Sequence, residues 1–189
     1  MSDTLRGILL FLIETLFDIY LFILVIRVIL SWVGTDYYHP LTQFIVKCTN
    51  FIIKPLRQYI PNYRDIELSS LLVMVVLETV KYILLGLITF GFPNILGLMI
   101  LVLTDILKLF IMTFFYAIFL QAIISWVQPG SPANLVLQKF TAPVLRPFQR
   151  IIPPISGFDI SPIPALIILQ LINFVVISRL MAVGLDIAF

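Results

Sequence analysis

Four stretches of the chain are apolar on every face, and two stretches between them are apolar on one face only. The continuous runs cover about residues 8–33, 68–90, 95–127 and 160–185. A membrane-spanning helix needs roughly 20 mostly apolar residues. Lipid offers backbone amides no partners, so each run is expected to be a helix that pairs its own backbone groups. The third run is longer than a bilayer requires and is expected to tilt or to project from the surface. Between the second and third runs lies only the turn Gly91-Phe92-Pro93-Asn94. Those two spans are therefore expected to form an antiparallel hairpin.

The connections over residues 34–67 and 128–159 read differently. In the first, Leu41, Phe44, Ile45, Cys48, Phe51, Ile52 and Leu56 recur at helical spacing. Gln43, Lys47, Asn50, Lys54 and Arg57 follow the same spacing on the opposite face. Pro40 stands where a helix would begin. In the second, Val136, Leu137, Phe140, Val144, Phe148 and Ile151 share one face, opposite Lys139, Arg146 and Gln149. The pattern predicts two amphipathic helices, over about residues 40–60 and 132–152, suited to the membrane interface. Pro143 predicts a shorter or kinked second helix. The prolines after Lys54 and Arg146 disfavour helical geometry at those bases and predict a bend at each.

The two halves align. Pro40, Lys47, Thr49, Lys54, Pro55, Pro61, Glu67 and Ser69 each match a residue 92 positions on: Pro132, Lys139, Thr141, Arg146, Pro147, Pro153, Asp159 and Ser161. Ser31-Trp32-Val33 matches Ser125-Trp126-Val127 at an offset of 94. Residues 1–93 and 94–189 are thus expected to be two repeats, each crossing the membrane twice and so sharing one orientation. Inverted repeats, common in transporters, would oppose each other. The fold class that follows is an all-α membrane protein with four transmembrane helices in two parallel repeats, each carrying an interfacial amphipathic helix.

Composition agrees. The chain of 189 residues is 61% hydrophobic and 12% charged, against about 25% charged in soluble domains. Mean hydropathy is +1.11. A net charge of +2 gives no footprint for nucleic acid. Position matters more. Lys47, Lys54, Arg57, Arg64, Lys139, Arg146 and Arg150 all fall in the two long connections, whereas Arg6 is opposed by Asp3. Lys/Arg excess marks the cytoplasmic side. The long loops are therefore expected in the cytoplasm and both termini outside it, with Trp32 and Trp126 at the cytoplasmic interface. The first segment lacks a basic leader and a small-residue cleavage site, so it reads as a retained helix.

Two copies of S-W-V, a proline-led amphipathic helix, [KR]-P-[LF] and I-P, followed by an acid and S-[SP], resemble the YggT family of bacterial membrane proteins. The resemblance covers nearly the whole chain and extends to the YlmG-type proteins of Gram-positive bacteria, cyanobacteria and chloroplasts. It implies an inner-membrane protein and supplies no catalytic residue. The roles it implies are diverse: osmotic-stress tolerance with potassium uptake, cell division or nucleoid distribution, and assembly of a haem-containing cytochrome complex.

Candidate chemistry lies in two places. Ionisable residues inside spans are costly and face a bundle interior or water. They are Glu14 and Asp18 in the first span, Glu78 and Lys81 in the second, and Asp105 and Lys108 in the third. One reading is a polar track for a cation or proton. The other is local neutralisation, Glu78 by Lys81 and Asp105 by Lys108, with Glu14 within two turns of the outer face and Arg27 and Arg179 snorkelling to the span ends. Asp18 has no opposite charge at i±3 or i±4, which leaves it to a neighbouring helix's lysine or to an ion. The other place is the pair of basic, proline-bearing octets, a docking surface for lipid or protein. His39 reads as a turn residue and Cys48 as inert packing. No Walker loop, zinc-ligand spacing or nucleophile elbow is present. No enzyme activity and no cofactor are expected. The expected partners are membrane lipid and either a second copy or another membrane protein. Both repeats keep the octets, whereas the buried acids are not shared between them. Glu14 and Asp18 match Lys108 and Met112, and Glu78 and Lys81 match Gln170 and Asn173. This favours a scaffold over a potassium transport component.

Overall fold

The computed structural model describes residues 2–34, 40–58, 60, 67–128, 130–152 and 159–189. The elements are α1 (Ser2–Val33), α2 (Pro40–Arg57), α3 (Leu68–Thr89), α4 (Ile95–Val127), α5 (Pro132–Ile151), α6 (Pro162–Ile172), a π-helical turn (Asn173–Ile177) and α7 (Ser178–Ala188). Four stretches are long and apolar enough to cross a membrane: Thr4–Val33, Leu68–Thr89, Ile95–Val127 and Pro162–Ala188. The protein is an all-α membrane protein. Among the described residues there is no strand.

Local chemistry fixes the element ends. Asn94 Oδ1 accepts from the Leu96 amide at 3.0 Å and caps α4. Ser131 Oγ accepts from the Asn134 amide at 3.2 Å and caps α5, with Pro132 at the first helical position. α3 closes with the Gly91 amide on the Gly86 carbonyl at 2.7 Å, a reversal that puts Gly91 at φ 114°.

Two spans pack antiparallel within each half. Arg6 donates to the Thr89 carbonyl at 2.7 Å, so the start of α1 meets the end of α3. The Asn94 amide donates to the Ala188 carbonyl at 2.9 Å, so the start of α4 meets the end of α7. α3 and α4 form the hairpin, and α1 and α4 therefore run the same way. One end of the bundle carries α2 and α5 (the connection end); the other carries both chain termini. Between them Leu21, Leu24, Val25, Met74, Ile118 and Leu169 form an apolar core. The outward faces, Phe11, Leu16, Leu103 and Phe174 among them, are exposed as lipid requires.

Several expectations change. α1 begins at Ser2 rather than residue 8. Glu14 therefore lies about 18 Å from the start of the helix. α5 is 20 residues and α2 is 18, so Pro143 does not shorten the second amphipathic helix. The missing proline amide removes one backbone hydrogen bond, while Phe140, Thr141 and Leu145 are buried on both sides of it and hold the turns together. Lys54-Pro55 and Arg146-Pro147 are likewise helical; the chain leaves each helix after the base and not at it. The fourth span reaches Ala188 through the π turn, where Ser178 donates to the Phe174 carbonyl.

Helices in lipid gain little from the hydrophobic effect and associate through close packing and polar pairs. Gly97 shows this most directly: a Cβ there would collide with the backbone of Ala188. Gly97→Ala is expected to cost about 1–3 kcal/mol, read as a lowered thermal midpoint in detergent. Gly7→Ala, with open space around it, leaves the midpoint unchanged or raised.

Candidate functional site

At the connection end, α1 presents Arg27 inward, 6% exposed, to Glu67 at the start of α3. Nε reaches Oε2 at 2.6 Å and Nη2 reaches Oε1 at 2.8 Å, a bidentate pair. Nη1 donates to Thr49 Oγ1 at 2.6 Å and Asn50 Oδ1 at 3.0 Å on α2. Ser70 Oγ donates to Glu67 Oε2 at 2.8 Å. One guanidinium thus ties α2 to both spans. Burial alone would raise the Glu67 carboxyl. The hydrogen bonds from Arg27 and Ser70, with the charges of Arg27 and Arg57, hold it below its ordinary 4.5. Arg27 does not snorkel.

The second half repeats the arrangement without the charge. Gln121, 94 positions after Arg27, accepts from Thr141, the counterpart of Thr49. Asp159, the counterpart of Glu67, accepts instead from Gln149 Nε2 at 2.9 Å and from the Ser161 amide at 2.9 Å.

The second polar centre lies at mid-span. Lys81 on α3 is buried, with its Nζ 3.0 Å from Asp18 of α1, 2.7 Å from Glu78 and 2.7 Å from Asp105 of α4. The Tyr82 hydroxyl donates to the same Asp105 oxygen at 3.1 Å, and Lys108 stands 3.7 Å from the other. Neither Glu78 oxygen accepts a well-oriented hydrogen bond, so its ion contact with Lys81 stands alone. The centre opens into a cleft of about 390 Å³ bounded by α1, α3, α4 and Met181 of α7, with Glu14 and Lys108 on its wall. The Asp18 side chain is 54% exposed there and that of Lys108 is 46% exposed. On the cleft wall three acids (Glu14, Asp18, Asp105) against two bases (Lys81, Lys108) leave an acid excess, suited to holding a cationic group.

Five of the six intramembrane candidates thus line one cleft, and the sixth, Glu78, is buried behind it against Lys81. Glu78–Lys81 and Asp105–Lys108 do pair within their helices, but Lys81 also joins three helices, and Asp18 takes its lysine from α3. The basic residues Lys47, Lys54, Arg57, Lys139, Arg146 and Arg150 are exposed at the connection end, as are Trp32 and Trp126. Pro40 and Pro132 open α2 and α5, and Pro55 and Pro147 lie within them. Arg64, Pro61, Pro153 and His39 lie outside the described residues. On α2, Phe44, Cys48 and Phe51 are exposed, while Thr42, Thr49 and Ile53 are buried. The helix therefore docks by a mixed face, and Cys48 is not packed. The Arg27–Glu67 pair and Tyr82 were missed by sequence reasoning. A polar residue at 27 and at 121, each four positions before S-W-V, was the available signal.

The family model described as CCB3/YggT matches residues 7–88 and 100–180. The uncharacterized protein PA0392 of Pseudomonas aeruginosa is 38% identical over 91% of this chain and 89% of its own length. The uncharacterized protein YggT of Escherichia coli K12 is 38% identical over 92% of each chain. An uncharacterized protein of Haemophilus influenzae is 31% identical over 80% of this chain and 81% of its own. No solved structure matches the chain. Two family matches, one over each half, and relatives of nearly full length agree with the repeat motif: the chain belongs to the CCB3/YggT family.

Proposed function

We propose that this protein is a non-catalytic scaffold or assembly factor of the bacterial inner membrane, and that its acidic mid-span cleft receives a basic or polar segment of a membrane-spanning partner. The observation that carries this reading is the open carboxylate of Asp18. A charge at the bilayer centre costs roughly 2.5–3.5 kcal/mol or more when it faces lipid. Covering it with a complementary group removes that cost. The basic α2/α5 end, with six cationic residues, supports a cytoplasmic placement of that end with the termini periplasmic.

Cation handling in osmotic-stress tolerance is the second reading, and the acid excess favours it equally. The apolar core weighs against it. Along α1 the buried Leu21, Leu24 and Val25 separate Asp18 from Arg27, with Met74 and Ile118 in the same cluster, so among the described residues no continuous polar path joins the cleft to Arg27.

A photo-crosslinking residue at Leu109, on the cleft wall, separates the two. The scaffold reading expects a discrete adduct in native membranes, with a second copy or another membrane protein, lost in Glu14→Gln/Asp18→Asn. Absence of any adduct, together with potassium or proton flux in proteoliposomes abolished by the same pair, would establish transport instead.

A further inference from the structure

The two repeats build the same corner and leave different volumes in it. In the first, Arg27 and Asn50 occupy the space between the span and the amphipathic helix, and the cavity left is about 230 Å³. In the second, the matched positions are Gln121 and Ala142, shorter and uncharged. The cavity there is about 580 Å³. Its polar wall is formed by Gln121, Gln138, Lys139, Thr141, Arg146 and Gln149. Thr141 donates its hydroxyl to Gln121 and Gln149 its amide to Asp159, while Arg146 adds a guanidinium and Gln121 and Gln138 add carboxamides to the wall. Where the first repeat has an internal cation satisfied by Glu67, the second places the Arg146 guanidinium and the Gln121 and Gln138 carboxamides on the wall of its pocket. Asp159 accepts from Gln149 and from the Ser161 amide at the start of α6, and among the described residues it has no arginine partner.

On the other flank of α5 lies an apolar cleft of about 250 Å³, walled by Phe22 and Ile26 of α1, Tyr116 and Leu120 of α4, and Leu137 and Phe140 of α5. Val136 borders both spaces. A donor-rich pocket beside an apolar slot at the basic end of a membrane bundle fits a molecule with a phosphate at one end and a hydrocarbon chain at the other.

We propose that the second repeat holds an anionic phospholipid, with its phosphate diester in the Gln121–Arg146 pocket and one acyl chain in the α1/α4/α5 cleft. The first repeat holds none, because Arg27 closes its pocket. This site is separate from the acidic cleft, which lies at mid-span.

The test is phosphatidylglycerol binding to the purified full chain in a neutral detergent, counted by native mass spectrometry. One lipid per chain is expected to persist. Arg146→Gln should weaken retention about tenfold, the size of losing one charge-assisted hydrogen bond. Gln121→Arg, which copies the first repeat's filling, should weaken it at least as much while its thermal midpoint shows that it folds. Arg57→Gln, at the first repeat's rim, should leave retention unchanged. Equal retention in all four proteins would overturn the site. Displacement of the lipid by inorganic phosphate would overturn the lipid assignment and give the pocket to a free anion.

Discussion

Lys81→Met is expected to be the most damaging single substitution in the chain, destabilising it by at least about 3–5 kcal/mol. The reason is what it leaves behind. Glu78 and Asp105 are buried, and Lys81 is the cation closest to both, at 2.7 Å from each. Lys108, at 3.7 Å and half exposed, does not replace it for Asp105 and does not reach Glu78 among the described ion pairs. A domain's whole stability is about 5–15 kcal/mol, so the variant should be poorly folded. Unfolding in mixed micelles, followed by Trp32 and Trp126 fluorescence, gives the loss. Glu78→Gln should cost far less, because Lys81 keeps Asp18 and Asp105 and the Glu78 oxygens accept no hydrogen bond to lose. Lys81→Met combined with Glu78→Leu and Asp105→Leu should recover much of the stability, since a matched apolar set has no charge to desolvate. A triple variant as unstable as the single one would show that the cluster's charges are not what Lys81→Met exposes.

Arg27→Met and Glu67→Leu are each expected to cost about 3–5 kcal/mol, and the double variant much less than their sum. Arg27 also holds Thr49 and Asn50, so its loss should loosen α2 while Glu67→Leu should do so less. Faster amide exchange in α2 reports this separately from global stability. The pair also sets an acid limb. The Glu67 carboxyl titrates below 4.5 in the folded chain. Its contribution is therefore present above the ordinary carboxylate range and is lost as pH falls through the lower, folded value. The double variant should lack this part of the acid destabilisation. An acid limb identical to the wild type would place the sensitivity elsewhere.

The spans were legible because a run apolar on every face has one solution in lipid. The amphipathic helices were legible from period alone. What sequence reasoning lost was anything set by a neighbour distant in the chain. Arg27 finds Glu67 40 positions away, and an argument confined to one helix sent it to the surface instead. Glu78 and Lys81 were rightly paired within α3, yet Asp18 and Asp105 arrive from two other helices, so local neutralisation described a fragment of the cluster. The proline rule failed at Pro55 and Pro147 for a related reason. Each sits in the C-terminal half of its helix, and burial of Ile53 and Leu145 holds the preceding turn. The contrast between Arg27 and Gln121 was present in the aligned halves, but only the contact with Thr49 and Thr141 gives it meaning.

The proposal that the acidic cleft is covered by another membrane segment is tested most directly by a nitroxide at Met112, on the cleft wall. Cys48 would first be replaced by Ser, and the protein extracted with its native membrane into polymer-bounded discs. Accessibility to oxygen reports lipid, and accessibility to a water-soluble nickel chelate reports solvent. Low accessibility to both is expected, rising to one or the other in Glu14→Gln/Asp18→Asn. A label freely reached by oxygen or by the chelate in the unsubstituted cleft would contradict a protein partner there.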